Sequence, residues 1–251
     1  MIKLTDLRKE YGQFAAVKQL NLEVKSGEVF GFLGPNGAGK TTTIKMIVGM
    51  MQPTAGSIEI DGIDISKDRD AAKSRIGFIP DRPYIYEKVT GMEFMHFIGG
   101  LFRMDPDDIE KRGMELLRLF EIDHVSNELV SGYSHGMRQR LIMASAILHR
   151  PRLLVVDEPM VGLDPRGAKL VKKLFRQQAD HGTTIFMSTH TLEVAEQVCD
   201  RVGIIQHGEI VAMGSIADLK RSAGALEKFE ETFLQLTGLS DEQDVTGVVE
   251  G

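Results

Sequence analysis

Residues 34–42 have the sequence GPNGAGKTT, which carries the glycine and lysine spacing of a phosphate-binding loop. Glycines permit backbone conformations that are closed to other residues, so the N–H groups of such a loop can approach phosphate oxygens. Lys40 would reach the outer phosphates of a nucleotide, and the Thr41 hydroxyl would bind a magnesium ion. The predicted nucleotide contacts of the loop come from Asn36, Gly37, Ala38, Gly39, Lys40, Thr41 and Thr42.

Two carboxylates, Asp157 and Glu158, directly follow the apolar run from Leu153 to Val156. An uninterrupted apolar run is typical of a strand that is buried on both faces of a parallel sheet. Ligands of these sheets lie at the carboxyl ends of the strands, so both carboxylates should face the crevice that holds the phosphate loop. We expect Asp157 to bind the magnesium through water, and Glu158 to orient or deprotonate the attacking water.

Two further side chains could contact a nucleotide. His190 follows a β-rich run from Thr183 to Ser188, so it is a candidate contact to the terminal phosphate or the attacking water. Tyr11 could stack on a flat ring. The alternative for Tyr11 is an ordinary half-exposed tyrosine at the end of a strand.

The elements that must position these residues are visible in the hydrophobic pattern. The apolar run Val29–Leu33 leads into the phosphate loop, and a helix-patterned run, Thr43–Met50, leaves it. Ile2–Leu7 and Ala16–Val24 predict an antiparallel pair, and Asp61-Gly62 predicts a hairpin turn. The predicted fold is α/β, a phosphate-loop NTPase core with a mostly parallel sheet, an N-terminal antiparallel β subdomain and an inserted α-helical subdomain.

The chain is expected to form one domain over residues 1–238. Its parts are a core (1–80 and 151–214), a helical insertion (81–150), a helical extension (215–238, with a helix over 225–236) and a polar tail (239–251). In the insertion, Thr90 could cap a helix. The two expected apolar helix faces carry Phe94, Phe97, Ile98 and Leu101, and Met114, Leu117, Leu119 and Phe120.

Composition and charge favour a globular domain and argue against a nucleic-acid-binding, disulfide-linked or membrane-spanning chain. The chain has 251 residues, 42% of them hydrophobic, which is enough for a substantial core. A net charge of −6 offers no basic footprint for nucleic acid, and a single cysteine, Cys199, excludes an internal disulfide. No stretch has the roughly 18 to 20 apolar residues of a membrane span. We expect a cytoplasmic protein that would need another polypeptide to cross a membrane.

A competing motif is the segment Gly132-Tyr133-Ser134-His135-Gly136, which matches the G-x-S-x-G elbow of serine hydrolases. Asp157 or Asp164 and His190 follow in the required order. However, the elbow must follow a buried strand, and residues 123–131 are too polar for one. A hydrolase that uses Ser134 would also leave the phosphate loop unexplained.

Taken together and in order, the motifs resemble those of the ATP-binding cassette family over about residues 2–238. The matching segments are the phosphate loop, residues 153–159 (LLVVDEP), residues 162–165 (GLDP) and His190. Residues 133–140 (YSHGMRQR) look like the signature motif, which separates this family from other phosphate-loop ATPases.

This resemblance implies a head-to-tail dimer in which two ATP molecules are sandwiched between the phosphate loop of one subunit and the signature motif of the other. Ser134 and Gly136 would complete the partner's site at a helix N-terminus. Tyr11 would stack on adenine and Val17 would pack near the ribose. Asp164 would help to couple the two sites.

Two positions depart from the family pattern. The signature has His135 where glycine is common and Met137 where glutamine is common, while its serine and second glycine remain. Asp81 occupies the position of a glutamine that senses magnesium and water. By the resemblance, Asp81 could still bind the metal through water.

The form of the signature motif and the sequence of residues 226–238 resemble those of cassette subunits from bacterial drug, antibiotic and polysaccharide exporters. This implies an integral-membrane permease on a separate chain, a second identical or related ATPase subunit, and a place at the cytoplasmic face of the membrane. The aromatic segment Pro83–Tyr86 is expected to receive a helix of that permease; the alternative is an ordinary packed loop. A cassette ATPase that acts on DNA, RNA or ribosomes would usually carry coiled-coil insertions, zinc modules or a second cassette, and the sequence has none.

Overall fold

The computed structural model describes residues 1–82, 84–160, 163–222 and 229–237. The strands are β1 (Ile2–Tyr11), β2 (Phe14–Val24), β3 (Val29–Leu33), β4 (Ala55–Ile60), β5 (Ile63–Asp64), β6 (Ile76–Ile79), β7 (Leu153–Asp157), β8 (Thr184–Thr189), β9 (Arg201–Gln206) and β10 (Glu209–Gly214). The helices are α1 (Lys40–Ile47), α2 (Arg69–Lys73), α3 (Gly91–Leu101), α4 (Pro106–Leu119), α5 (His135–Ala146), α6 (Pro165–Asp180), α7 (Leu192–Val198), α8 (Ile216–Ser222) and α9 (Phe229–Thr237).

The first sheet is antiparallel and has the strand order β2-β1-β4-β5. This confirms the predicted N-terminal antiparallel subdomain, although β1 and β2 each extend beyond the expected bounds. The β4–β5 turn contains Asp61 and Gly62, with φ values of 52° and 78°. Two successive positive φ angles match the right-handed twist of a hairpin, which is why this dipeptide favours the turn.

The second sheet has the order β10-β9-β3-β8-β7-β6, and all its pairs except β10–β9 are parallel. Every residue of β3, β7 and β8 is buried. The parallel strands bring their carboxyl ends to one edge of the sheet. This α/β arrangement, with a mostly parallel sheet, agrees with the sequence-based expectation.

The segment between β6 and β7 is helical and contains α3, α4 and α5. Thr90 caps α3, because its hydroxyl accepts a hydrogen bond from the Glu93 N–H while the Glu93 carboxylate accepts one from the Thr90 N–H. The predicted apolar faces are wrong in part: Phe97, Leu101 and Leu119 are exposed.

Phe94 is buried as predicted, and the other buried residues of α3 are Gly91, Met92, Met95 and Gly99. At Gly99, a Cβ atom would lie 2.5 Å from Ile109 of α4. The close approach of the two helices therefore depends on a residue without a side chain, which an apolar-periodicity argument does not detect. This contact turns Phe97 and Leu101 towards the surface.

Helix α1 spans Lys40–Ile47, whereas the sequence pattern predicted Thr43–Met50. Gly49, at φ 68°, ends the helix. The Met50 N–H donates to the Lys45 carbonyl and the Gly49 N–H donates to the Met46 carbonyl, which is the Schellman arrangement of a glycine-terminated helix.

The structure describes only part of the predicted C-terminal helical extension and tail. The expected helix over 225–236 corresponds to α9, which starts at Phe229, and residues 225–228 lie outside the described residues. The predicted tail, 239–251, lies outside them as well.

Candidate nucleotide-binding site

A cavity of about 360 Å³ lies at the carboxyl edge of the parallel sheet. Its walls come from the phosphate loop after β3, from the β1–β2 hairpin, and from the carboxylates Asp81, Asp157 and Glu158. Residues that are more than a hundred positions apart in the sequence therefore meet in one place. The three carboxylates and Lys40 bring opposite charges to the same cavity.

The conformation of the phosphate loop depends on two glycines. Gly37 and Gly39 have φ values of 80° and 110°, which side-chain-bearing residues rarely adopt. A Cβ atom on Gly39 would also lie 2.6 Å from the Ala16 carbonyl oxygen. Gly39 is the N-cap of α1 and has no side-chain hydrogen bond there, so the first N–H groups of α1 remain available to an anion.

Lys40 is 7% exposed and points back along the phosphate loop. Its ammonium donates hydrogen bonds to the carbonyl oxygens of Gly34 and Pro35. Burial lowers the pKa of Lys40, while the charges of Glu158 and Asp157 oppose this shift. The loop thus holds a cation beside its own N–H groups, which suits a ligand with several phosphates.

Asp157 and Thr41 lie close enough to bind the same cation. The Thr41 Oγ1 atom is 3.3 Å from the Asp157 Oδ2 atom, and Asp157 is 5% exposed. A hydroxyl and a carboxylate are the hard oxygen ligands that Mg²⁺ prefers, so the donor set fits the predicted metal. Within the described ranges, no cluster of three or more histidine, cysteine, aspartate or glutamate residues could hold a metal ion.

Ser188, which the sequence analysis missed, donates a hydrogen bond to the other carboxylate oxygen of Asp157. It is fully buried in β8 and lies opposite Asp157 in the β7–β8 register. A serine at the end of a buried strand was the available signal. Its partner could be identified only once β8 was known to lie beside β7.

Glu158 and His190 form a hydrogen-bonded pair. The His190 Nδ1 atom is 2.8 Å from the Glu158 Oε1 atom. Since a carboxylate accepts hydrogen bonds, Nδ1 is the donor in this pair, and in the tautomer with its proton on Nδ1 the Nε2 atom is an acceptor. The histidine side chain is 59% exposed, whereas that of Glu158 is 15% exposed.

The β1–β2 hairpin supplies the aromatic side of the cavity. Tyr11 and Phe14 are opposite one another in the register and are 48% and 65% exposed. Phe14 was missed, although an exposed aromatic residue beside a glycine turn was a usable signal. Val17 is fully buried and does not line the cavity, because Ala16 forms the wall there. Ala16 and Phe14 therefore line this side of the cavity, and the ribose contact of Val17 stays a prediction.

The signature residues lie elsewhere, in a separate cavity of about 290 Å³. Ser134 caps α5 by accepting a hydrogen bond from the Met137 N–H, and Gly136 is in the first turn of that helix. Asp164 caps α6 by accepting a hydrogen bond from the Gly167 N–H. Its Oδ1 atom lies 3.5 Å from the Nη2 atom of Arg140. Gly162 of the adjoining motif is outside the described residues.

This geometry does not support the serine hydrolase alternative. Ser134 follows a 3₁₀ turn, Val130–Gly132, and not a buried strand. Among the described residues, its hydroxyl has no histidine partner, and His190 pairs with Glu158 instead. The Asp157 carboxylate accepts hydrogen bonds from the Thr41 and Ser188 hydroxyls instead. A Ser–His–Asp relay is therefore absent from this part of the chain.

None of the helices in the described ranges is both long and apolar enough to cross a bilayer.

Comparison with known proteins gives the family. Residues 17–161 match the family model described as ABC transporter. The linearmycin resistance ATP-binding protein LnrL of Bacillus subtilis (strain 168) is 35% identical over 237 residues, covering 94% of this chain and 75% of that protein. The bacitracin transport ATP-binding protein BcrA of Bacillus licheniformis is 42% identical over 215 residues, covering 84% of this chain and 68% of that protein.

Solved structures agree with this assignment. The structure of an ATP-binding subunit of an ABC transporter superimposes with a TM-score of 0.89 and 30% identity, covering 94% of this chain and 99% of that one. A dimeric ATP-binding cassette in a post-hydrolysis state, bound to ADP and Pi, has a TM-score of 0.76 and 28% identity, covering 86% of this chain and 98% of that one. The chain belongs to the ABC transporter family and is an ATP-binding subunit with ATPase activity.

Proposed function

We propose that this chain binds and hydrolyses MgATP at sites that a second ATPase subunit completes, and that it drives a separate membrane-spanning subunit of a bacterial exporter. The observation that carries the proposal is the division of the site between two cavities. The phosphate loop, Asp157 and Glu158 line one of them, while Ser134 and Gly136 line the other. A second subunit is the natural source of the missing half.

In the proposed site, the phosphate loop and the N-terminus of α1 bind the phosphates, and Lys40 exchanges its loop carbonyls for phosphate oxygens. Tyr11 stacks on adenine, with Phe14 beside it. Thr41, and Asp157 through water, would hold the magnesium, and Asp81, which lines the same cavity, would contribute through water. The metal would neutralise charge that develops on the phosphates.

Glu158 is the proposed general base, because its carboxylate lies in the cavity and borders the phosphate loop. It would orient the attacking water and accept its proton. His190 holds the carboxylate through Nδ1, which leaves Nε2 free to accept a hydrogen bond from that water or from a protonated phosphate oxygen. Both roles depend on side-chain placement at the ends of β7 and β8.

The second subunit would approach head-to-tail, so that its Ser134 hydroxyl and its α5 N-terminus face the terminal phosphate. The dimeric form of a similar cassette supports the pairing of two subunits. Asp164 lies in the same cavity as Ser134 and is therefore well placed to sense the neighbouring site. The dimer could pair two identical chains or two related ones.

The proposed contact with the membrane subunit is an aromatic surface formed by Tyr84, Tyr86 and Phe97. Their exposed fractions are 97%, 64% and 47%, and the rings of Tyr86 and Phe97 meet edge to face. Exposed aromatic residues are favoured anchors at protein interfaces. Pro83, which was part of the predicted segment, is outside the described residues.

The names of the relatives, which concern antibiotic resistance and transport, support an exporter. The ATPase subunit would then lie on the cytoplasmic face of the membrane.

The variant Glu158→Gln tests the proposal, because it keeps the size of the side chain but removes the base. We expect ATP to be retained, phosphate release to fall by about two orders of magnitude or more, and an ATP-dependent dimer to accumulate. Light scattering and phosphate release would measure these changes, with the exposed Glu115→Gln as the matched control. Normal turnover in Glu158→Gln, or the lack of any ATP-dependent dimer, would contradict the proposal.

A further inference from the structure

Gln139, on α5, has a buried amide without a hydrogen-bond partner. It is 1% exposed, and in the described part of the chain neither Oε1 nor Nε2 is bonded. Buried polar side chains almost always have partners, since an unpartnered group has lost its water without compensation. An amide with two unpartnered atoms in the interior therefore needs a physical explanation.

The position of Gln139 on the helix suggests where hydrogen-bond partners could lie. With 3.6 residues per turn, its side chain falls between two stripes of α5. One stripe, His135 and Arg138, lines a cavity of about 620 Å³ together with Asp81. The other stripe, Gly136 and Arg140, lines the smaller cavity together with Asp164. Gln139 therefore faces inward between the segment that follows β6 and the segment that follows β7.

Both segments belong to the nucleotide site. Asp81, after β6, and Glu158, after β7, line the nucleotide cavity. Ser134 caps the same helix and Gly136 lies in its first turn, and these residues are proposed to contact the nucleotide of the other subunit. Gln139 thus lies on the helix that joins these proposed interface residues to the cavity lined by Asp81.

We propose that Gln139 is a positioning residue for ATP hydrolysis, whose amide gains backbone hydrogen bonds from the segments carrying Asp81 and Glu158 when ATP closes the dimer. An amide has both a donor and an acceptor, so it can join two backbone segments at once. Its unpartnered state raises the free energy of the open form, so that closure and correct placement of Glu158 favour one another. This inference rests on the dimeric ATPase proposed above.

The test replaces Gln139 with methionine, which has a similar length and no polar hydrogen-bonding amide. We expect a melting temperature that is unchanged or higher, because two unpartnered polar atoms are removed from the interior. We expect kcat to fall about tenfold and KM for ATP to change less than about twofold, the effect of losing two hydrogen bonds made only after binding. Gln139→Asn keeps an amide and should recover part of kcat.

Dimerisation is measured in the Glu158→Gln background, with and without Gln139→Met. ATP should bind both to the Glu158→Gln variant and to the double variant. However, the double variant with Gln139→Met should need about tenfold more ATP to dimerise. Met143→Leu is the control, because Met143 is buried one turn further along the same side of α5. It should leave kcat and dimerisation unchanged.

Two results would overturn the inference. A kcat within about twofold of the parent, together with a raised melting temperature, would show that the amide has no role in turnover. A lowered melting temperature with a proportional loss of ATP binding would show a purely structural role. If Glu158→Gln alone fails to dimerise in ATP, the proposed function fails and this inference fails with it; a defect confined to the Gln139 variants leaves the function standing.

Discussion

At the scale of single residues, neighbouring contacts constrain both the backbone and the side chain of Glu158, the proposed general base. Its φ of 51° lies in the left-handed region, which is uncommon for a residue with a side chain. Its N–H donates to the Ser188 carbonyl and its carboxylate pairs with His190. Such a conformation persists only when neighbouring contacts determine it, so Ser188 and His190 act on Glu158 together.

Ser188→Ala should weaken catalysis without removing any group that contacts the nucleotide. The variant deprives the buried Asp157 carboxylate of one hydrogen bond, and bonds to charged groups contribute about 1.5–3 kcal/mol. We expect kcat/KM for MgATP to fall about 10- to 100-fold, with a higher Mg²⁺ concentration needed for half-maximal activity. Steady-state phosphate release across a magnesium titration measures both effects.

Ser145→Ala is the matched control, because Ser145 is also buried but bonds the Ile142 carbonyl within α5, away from Asp157. Equal losses of activity in the two variants would contradict a specific role for Ser188.

His149 gives the fold a pH dependence. Burial lowers its pKa to about 4, against 6.5 for an ordinary histidine; the nearby Arg112 also lowers it, while the bond to the Ile76 carbonyl opposes the shift. Its ring also stacks on Phe102, with centroids 3.5 Å apart. The unfolded chain therefore binds a proton at a pH where the folded chain does not.

The contribution of His149 to stability is complete above pH 6.5 and is lost as the pH falls towards 4. The difference of 2.5 between the pKa values corresponds to about 3 kcal/mol. Urea unfolding at several pH values should show this loss in the parent chain and a flatter profile in His149→Gln. The exposed His124→Gln serves as the control, and an unchanged slope in His149→Gln would refute the assignment.

At the scale of secondary-structure elements, packing of the inserted helices depends on one of two adjacent glycines. A Cβ atom on Gly99 would lie 2.5 Å from Ile109, whereas one on Gly100 would meet nothing within 4 Å. Both residues lie in α3. The same substitution at neighbouring positions should therefore have opposite effects.

Gly99→Ala should destabilise the protein by about 1–3 kcal/mol, since the added methyl group overpacks the α3–α4 contact. Gly100→Ala should stabilise it by up to about 1 kcal/mol, because alanine has a higher helix propensity than glycine. Denaturant titrations of the two variants measure both changes. If both changes had the same sign, the assigned packing of α3 on α4 would be incorrect.

At the scale of the whole molecule, the nucleotide cavity and the aromatic surface are joined by the segment after β6. Asp81 lines the nucleotide cavity and also the adjoining cavity that contains Tyr84. A movement of Asp81 on nucleotide binding would therefore also change the shape of the cavity beside the proposed membrane-subunit contact. In the proposed function, this short path would carry a change at the nucleotide to the separate membrane subunit.

The double variant Tyr84→Ala and Tyr86→Ala should separate coupling from chemistry. We expect basal ATPase activity to stay within about twofold of the parent, because neither ring lines the nucleotide cavity. Stimulation by the membrane subunit, and co-purification with it, should be lost. Phe14→Ala is the contrasting variant, since it removes a ring from the nucleotide cavity and should raise KM for ATP. Normal assembly in the tyrosine variant would exclude this surface as the contact.

The sequence by itself determined which strands end in chemically active residues. Lys40 follows β3, Asp157 ends β7 and Glu158 comes directly after it, and His190 follows β8, and each apolar run predicted its strand closely. Parallel strands bring their carboxyl ends to one edge, so the convergence of these residues could be inferred from local pattern alone.

Only the tertiary structure decided which side chains touch. Hydrophobic periodicity reports burial, but it does not give the order of the strands or the register between them. The placement of β8 beside β7 pairs Ser188 with Asp157, and the packing of Gly99 on Ile109 turns Phe97 outward. The separation of Ser134 from the phosphate loop, which line different cavities, likewise depends on how the helical insertion packs against the sheet.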